Sequence, residues 1–158
     1  MPKGTKAYSD RQEKLIARYL NWKQVSGSGA RPLHPGDVIC DEWLGECKTY
    51  ITSGHPIIFK FDVWDKLEEE AISQFKTPAL FVDDGSQTID STFVLIEVPN
   101  GIEIDGSAVD YSDKKSFRFN SKDFFESTKI AKSFKRNDRM YCVMWLPQFS
   151  TYLRYENL

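Results

Sequence analysis

The chain has 158 residues, 41% hydrophobic and 14% aromatic, enough to bury a core as one domain and too apolar for disorder. The formal charge is −2, but it divides unevenly: residues 1–31 carry +5, residues 32–76 carry −5, residues 77–113 carry −8 with no Lys or Arg, and residues 114–158 carry +6. Basic ends therefore flank an acidic middle, which keeps phosphate-binding partners open despite the net charge.

No apolar run approaches the roughly 18 residues of a membrane span, and no signal-peptide segment is expected. Cys40, Cys47 and Cys142 are odd in number and lack CxxC spacing, which argues against a disulfide framework or zinc site and for a reducing compartment. The expected location is the cytoplasm, or the host cytoplasm for a virus-encoded protein, with no membrane partner.

In chain order, residues 1–8 read as a basic arm. "SDRQEKLIARYLNW" predicts a helix, with Ser9 and Gln12 as a capping box and Leu15, Ile16, Tyr19 and Leu20 facing the core. Glu13 borders that stripe. "SGSGARPLHPG" (26–36) cannot be regular structure. "DVIC" and "WLGECK" predict two short strands. "DVWDKLEEEAISQF" predicts a second helix with Trp64, Leu67, Ala71 and Phe75 as its apolar stripe, a solvated Glu68–Glu70 run, and Pro78 as its stop. "ALFV" and "TFVLIEV" suit central strands, "PNGIEIDG" a hairpin and "SFRF" a further strand. "SKDFFESTKIAKSF" predicts a third helix, and "YCVMWL" and "TYLRY" a closing pair of strands. The order implies one mixed-sheet α/β domain over 1–158.

Asp37, Glu46 and Lys48 stand out on otherwise apolar strands. Residues i and i+2 share a strand face, so Glu46 and Lys48 point one way and Cys47 the other. If Asp37 pairs beside Glu46, Val38, Cys40 and Cys47 share the core side. Two carboxylates and a lysine then meet on the opposite side. Carboxylates that close repel unless a cation sits between them, and Mg²⁺ suits hard oxygen ligands beside a substrate phosphate. Lys48 would hold water or neutralise a developing oxyanion, and Glu13 would fix a metal-bound water or second ion. The plainer alternative is a salt-bridged, solvent-exposed hairpin face.

Glu13, "SGSGA" (26–30), "GD" (36–37) and "ECK" (46–48), in that order, resemble the PD-(D/E)XK nuclease superfamily, and among its members the small Holliday junction resolvases of archaea and phages. The likeness spans roughly residues 10–83. It implies a restriction-endonuclease-like core, a central mixed β-sheet flanked by helices. It also implies catalytic Glu13, Asp37, Glu46 and Lys48, with the Cys47 carbonyl joining the three acids as a metal ligand. Mg²⁺ is the implied cofactor, with Mn²⁺ able to replace it. Ser26 and Ser28 would lie in the loop that meets the scissile region. The family's loop commonly follows an arginine, whereas here Gln24-Val25 precede it and Arg31 follows.

The expected activity is endonucleolytic cleavage of branched DNA, above all four-way junctions, by a homodimer. A duplex-cleaving restriction, repair or defence endonuclease is a second reading, and an inactive DNA-binding module a third. Lys129, Lys132 and Lys135, three apart on the expected third helix, would join Ser26, Ser28 and Arg31 in contacting DNA. His34 and His55 lie in Pro-flanked loops without partners at metal-site spacing. Trp22, Trp43, Trp64 and Trp145 suit core or interface better than base stacking. Phe59, Phe61 and Trp64, or Phe149, Tyr152 and Tyr155, offer apolar material for a dimer interface.

Overall fold

The computed structural model describes residues 4–25, 36–99, 108–127 and 131–156. Among these residues, four α-helices, α1 (Gly4–Leu20), α2 (Phe61–Ser73), α3 (Ser121–Ser127) and α4 (Leu146–Glu156), accompany nine strands. These are β1 (Lys23–Gln24), β2 (Val38–Ile39), β3 (Trp43–Lys48), β4 (Ile57–Lys60), β5 (Thr77–Asp83), β6 (Thr92–Glu97), β7 (Ser116–Phe119), β8 (Ala131–Arg136) and β9 (Arg139–Trp145). Seven form one mixed sheet, β1-β2-β3-β5-β6-β9-β8, in which β3 and β5 are parallel and the other pairs antiparallel. The remaining two, β4 and β7, make a separate antiparallel ribbon. The fold is α/β, with helices flanking a central mixed sheet. Among the described residues, no helix is long and apolar enough to cross a membrane.

Period-2 alternation splits the sheet's side chains between two cores. Leu44, Leu80, Val82, Phe93, Leu95 and Val143 face α2, α3 and the ribbon, where Trp64, Phe124, Phe59 and Phe117 complete an aromatic-rich layer. Val38, Cys47, Phe81, Val94, Ile96 and Met144 face α1 and α4. Central β5 and β6 are buried on both faces, which accounts for their nearly continuous apolar sequences. The three cysteines are unbridged.

Several elements depart from the sequence reading. Helix α1 begins at Gly4, so residues 4–8 are helical and Ser9 caps nothing. Gln12 instead points inward and is fully buried. Helix α2 ends before Pro78, which lies within β5. Phe75 is 96% exposed at φ +58°, outside the stripe of Phe61, Trp64, Leu67 and Ala71. The expected third helix stops at Ser127, and residues 131–136 form β8. Asn137 and Asp138, both at positive φ, close the β8–β9 hairpin between Arg136 and Arg139, a two-residue turn that suits Asn and Asp. "TYLRY" lies in α4 rather than in a strand. There Pro147 occupies the first turn, and the backbone N–H of Trp145 donates to Gln148 Oε1 at 3.1 Å, the reach-back half of a capping box. Short β1 and the ribbon strand β4 are additions. The expected hairpin at 99–106 lies largely outside the described residues.

Candidate functional site

Hairpin register assembles the site. Val38 pairs with Gly45 and Ile39 with Leu44. Asp37 stands immediately before β2 and Glu46 immediately after Gly45 on β3, close enough for the Asp37 charge to act on Glu46. The Asp37 N–H donates to the Gly45 carbonyl at 2.8 Å, and the Cys47 N–H donates to Asp37 Oδ2 at 2.8 Å. Asp37 is thus held at both its backbone and its carboxylate. Gly36 sits at φ +90°, a conformation that favours glycine, and a Cβ there would run into the Leu44 side chain. Gly45 lies under Val38 and Phe81, 2.6 Å and 2.7 Å from where a Cβ would be. The small residues beside Asp37 and Glu46 therefore let the two strands seat on the core.

Glu13 reaches this hairpin from α1. The stripe that packs α1 on the sheet is apolar at Ile16 and Ala17 but becomes polar at Gln12 and Glu13. Those two residues pass beside the end of β3. Glu13 is 5% exposed and lies beside Asp37. Burial, then the charges of Asp37 and Asp10, side-chain hydrogen bonding with Asp37, and the charge of Glu46 push its carboxyl up to about 8. Burial likewise raises Asp37, against the Cys47 N–H and the Lys48 charge, which favour its ionised form. Burial and the facing Asp37 raise Glu46, against the attraction of Lys48. Lys48 Nζ stands 3.3 Å from Glu46 Oε1 and is half-exposed. Cys47 turns its thiol into the core, where burial and the surrounding carboxylates hold it protonated.

Glu13, Asp37, Glu46 and Lys48 are thus brought together. Among the described residues, no three acidic, histidine or cysteine side chains converge on one point as a closed metal cage; the Glu46 carboxylate is drawn to Lys48 instead. The donor chemistry nevertheless fits Mg²⁺. Three hard carboxylates are desolvated near one another, and burial above all makes each hold its proton more tightly than usual.

A polar layer behind these residues was not anticipated. Gln12 Nε2 donates to the Lys48 carbonyl at 2.6 Å. Thr49 Oγ1 donates to Asp83 Oδ1 at 2.6 Å, and Asp83 is fully buried at the end of β5. Gln87 Nε2 donates to the Tyr8 carbonyl at 2.5 Å, and the Tyr8 hydroxyl donates to the Gly85 carbonyl. These contacts tie the N-terminal half of α1 to the strand ends that carry Lys48. The second oxygen of Asp83 and the amide oxygens of Gln12 and Gln87 have no partner among the described residues. A carboxylate closing the apolar run "ALFVD" was the signal for Asp83. Gln12 carried none beyond its place on the α1 stripe.

The other expected contacts fare differently. Ser26, Ser28, Arg31, His34 and Lys129 lie outside the described residues. Lys132 and Lys135 belong to β8, where an odd spacing points them to opposite faces; the expected common helical face does not exist. Lys132 rests over the Phe119 and Phe124 rings, while Lys135 is exposed. His55 stacks on Tyr50 with ring centroids 3.5 Å apart. Trp64 and Trp43 are core residues and Trp22 and Trp145 half-buried. Phe59, Phe61, Trp64 and Phe149 are interior, which removes them from any dimer interface; Tyr152 is half-buried and Tyr155 exposed. Comparison of the chain with protein-family models, curated proteins and solved structures returns no match.

Proposed function

We propose that the chain is a Mg²⁺-dependent endodeoxyribonuclease of the PD-(D/E)XK kind that cuts branched DNA, foremost four-way junctions, as a homodimer. The observation that carries this reading is Asp37 at the head of β2 near Glu46 of β3, with Lys48 Nζ 3.3 Å from Glu46 and the buried Glu13 beside Asp37. A restriction-endonuclease-like core is our reading of the unit α1, β2, β3, α2 and β5. The choice of branched DNA rests on the resemblance to small resolvases.

Asp37, Glu46 and Glu13 would hold the ion, with the Cys47 carbonyl as the further ligand the resemblance implies. Bound Mg²⁺ would supply Lewis-acid polarisation of a phosphoryl oxygen and a more acidic water. Lys48 presents an ammonium next to the carboxylates, suited to orienting the attacking water and neutralising charge on the phosphoryl oxygens. Gln12 holds the carbonyl of Lys48 and so fixes where β3 ends. Attack of water on phosphorus would break the bond to the 3′ oxygen, which takes up a proton, leaving a 3′-hydroxyl and a 5′-phosphate.

The test is cleavage of a fixed synthetic four-way junction and a linear duplex of the same sequence, with Mg²⁺, with Mn²⁺ and with EDTA. The reading expects junction cleavage with either metal, none in EDTA, and none by Asp37→Asn, whose amide oxygen can still accept the Cys47 N–H. Activity in EDTA or by Asp37→Asn would remove the assignment. Equal cutting of linear duplex would keep the nuclease and discard the junction.

A further inference from the structure

The β4–β7 ribbon carries positive charge that the carboxylate cluster does not use. Its strands pair Ile58 with Arg118 and Lys60 with Ser116. Alternation sends Ile57, Phe59 and Phe117 into the core and leaves the outer face to Ile58, Lys60, Ser116 and Arg118. A groove of about 690 Å³ runs along this face, lined by five cations (Lys60, Lys114, Lys115, Arg118 and Arg136) and two carboxylates (Asp62 and Asp65).

Both carboxylates are already engaged. Asp65 accepts two hydrogen bonds from Arg136, at 2.7 Å and 2.8 Å, and Asp62 accepts from the Val63 N–H at 2.8 Å. Arg136 is further fixed over the Phe61 ring at 4.6 Å. Lys60, Lys114, Lys115 and Arg118 are exposed, and none makes an ion pair with another described residue. In a chain of net charge −2, four such cations on one strip are a local excess.

The strip leads to the carboxylate cluster. A smaller cleft of about 220 Å³ has Lys48, Thr49 and Tyr50 on one wall and Ile58 and Lys60 on the other. Ile58 and Lys60 line both spaces, so a continuous surface passes from Lys48 over Lys60 to Arg118 and Lys115. These cations are spread along the ribbon rather than converging on one point. That suits successive phosphates of a strand better than a single small anion. The aromatic rings beneath, Phe59, Phe61 and Phe117, are buried, so the strip offers charge without a base-stacking platform.

We infer that the outer face of the β4–β7 ribbon is a DNA-backbone track, on which Lys60, Arg118, Lys114 and Lys115 bind phosphates flanking the one presented to Lys48. The inference rests on the proposed nuclease reading for its ligand. It assigns to this ribbon the docking role that the Lys129, Lys132 and Lys135 spacing had suggested for a helix. Contacts of this kind position a duplex arm without reading its sequence.

The test is fluorescence anisotropy of a labelled synthetic four-way junction in EDTA, over a series of salt concentrations. Two double variants are compared with wild type: Lys60→Ala with Arg118→Ala, and Lys114→Ala with Lys115→Ala. All four side chains are exposed, so far-UV spectra and melting curves should match wild type. Each pair should weaken binding about tenfold near 0.1 M salt and make the slope of log K against log salt shallower by about 2. Wild-type affinity and slope in both pairs would overturn the track. So would loss of slope in Lys14→Ala with Arg18→Ala on α1 instead, or failure of the wild type to bind the junction. The nuclease reading fails separately: a wild type that binds with this salt dependence but never cleaves in Mg²⁺ leaves the track standing.

Discussion

Glu13 carries much of the electrostatic strain of the site. Its ordinary value of 4.5 describes the unfolded chain, and burial beside Asp37 raises it to about 8 in the folded one. Between those values the folded state holds a proton that the unfolded state has lost, so this group makes stability fall as pH rises through that window and level off above it. Glu13→Gln keeps a donor for Asp37 and cannot ionise. In metal-free protein it should therefore be more stable than wild type above pH 8, with the margin vanishing toward pH 4.5. Melting curves that run parallel from pH 5 to 9 would show that Glu13 carries no such penalty. Added Mg²⁺ should raise the wild-type melting temperature more at pH 8 than at pH 6, because binding requires ionised carboxylates, and should help Glu13→Gln less. Lys48 is a different case, since it is half-exposed and pairs with Glu46 at 3.3 Å. Lys48→Ala should leave the fold intact and lower the cleavage rate on the order of 10²-fold or more, with little change in junction affinity measured in EDTA. A variant defective chiefly in binding would move Lys48 from chemistry to docking.

At the level of elements, turns decide what the strands and helices present. Val38 and Gly45 share the side of the sheet that faces α1, and one residue of slip would turn Glu46 and Lys48 to that side and Cys47 to the other. Helix α2 stops through its own hydrogen bonds rather than at a proline. Lys76 N–H donates to the Ala71 carbonyl at 2.9 Å and Phe75 N–H to the Ile72 carbonyl at 3.1 Å, a Schellman arrangement with Phe75 at the left-handed position usually filled by glycine. Phe75 gains nothing from burial there. Phe75→Gly should consequently stabilise the protein by roughly 0.5–1 kcal/mol, the relief of the left-handed cost less the added freedom of the unfolded chain, as read from urea denaturation. Destabilisation would mean that the exposed ring makes a contact outside the described residues. The same attention to turns explains the misread third helix. The apolar spacing of "KIAKSF" fits either period over so short a run, and the Asn137-Asp138 turn that makes it half of a hairpin lies just beyond it.

For the whole molecule, resolving a four-way junction needs two cuts, and one carboxylate cluster supplies one. A C₂ dimer would hold two clusters at a fixed separation and bring two β4–β7 ribbons to the same DNA. Sedimentation at micromolar concentration should give about twice the 18.3 kDa chain mass, and mixed dimers of wild type with Asp37→Asn should nick one strand without resolving the junction. A monomer that makes paired cuts would defeat the dimer. The interior positions of Phe59, Phe61, Trp64 and Phe149 leave Tyr155, Phe75 and Ile72 among the exposed apolar side chains for its interface.

Features that depend on near neighbours in the chain could be read directly from the residues. Alternation along "WLGECK" was enough to put Glu46 and Lys48 on one face, and the short hairpin after "DVIC" was enough to bring Asp37 near them, because a strand's period favours burying Val38 and Cys47 together. Central strands β5 and β6 were legible from their nearly continuous apolar runs, and helix α2 from the spacing of Trp64, Leu67 and Ala71. Contacts between segments distant in the chain emerge only once the elements pack together. The turn of Gln12 from a helix cap to a clamp on the Lys48 carbonyl depends on α1 lying beside the end of β3. The burial of Asp83 depends on β5 ending next to Thr49. The cationic strip on β4 and β7 joins residues 57–60 to residues 116–119, a pairing that no local spacing encodes because the free energy that fixes it comes from burying Phe59 and Phe117 against the sheet.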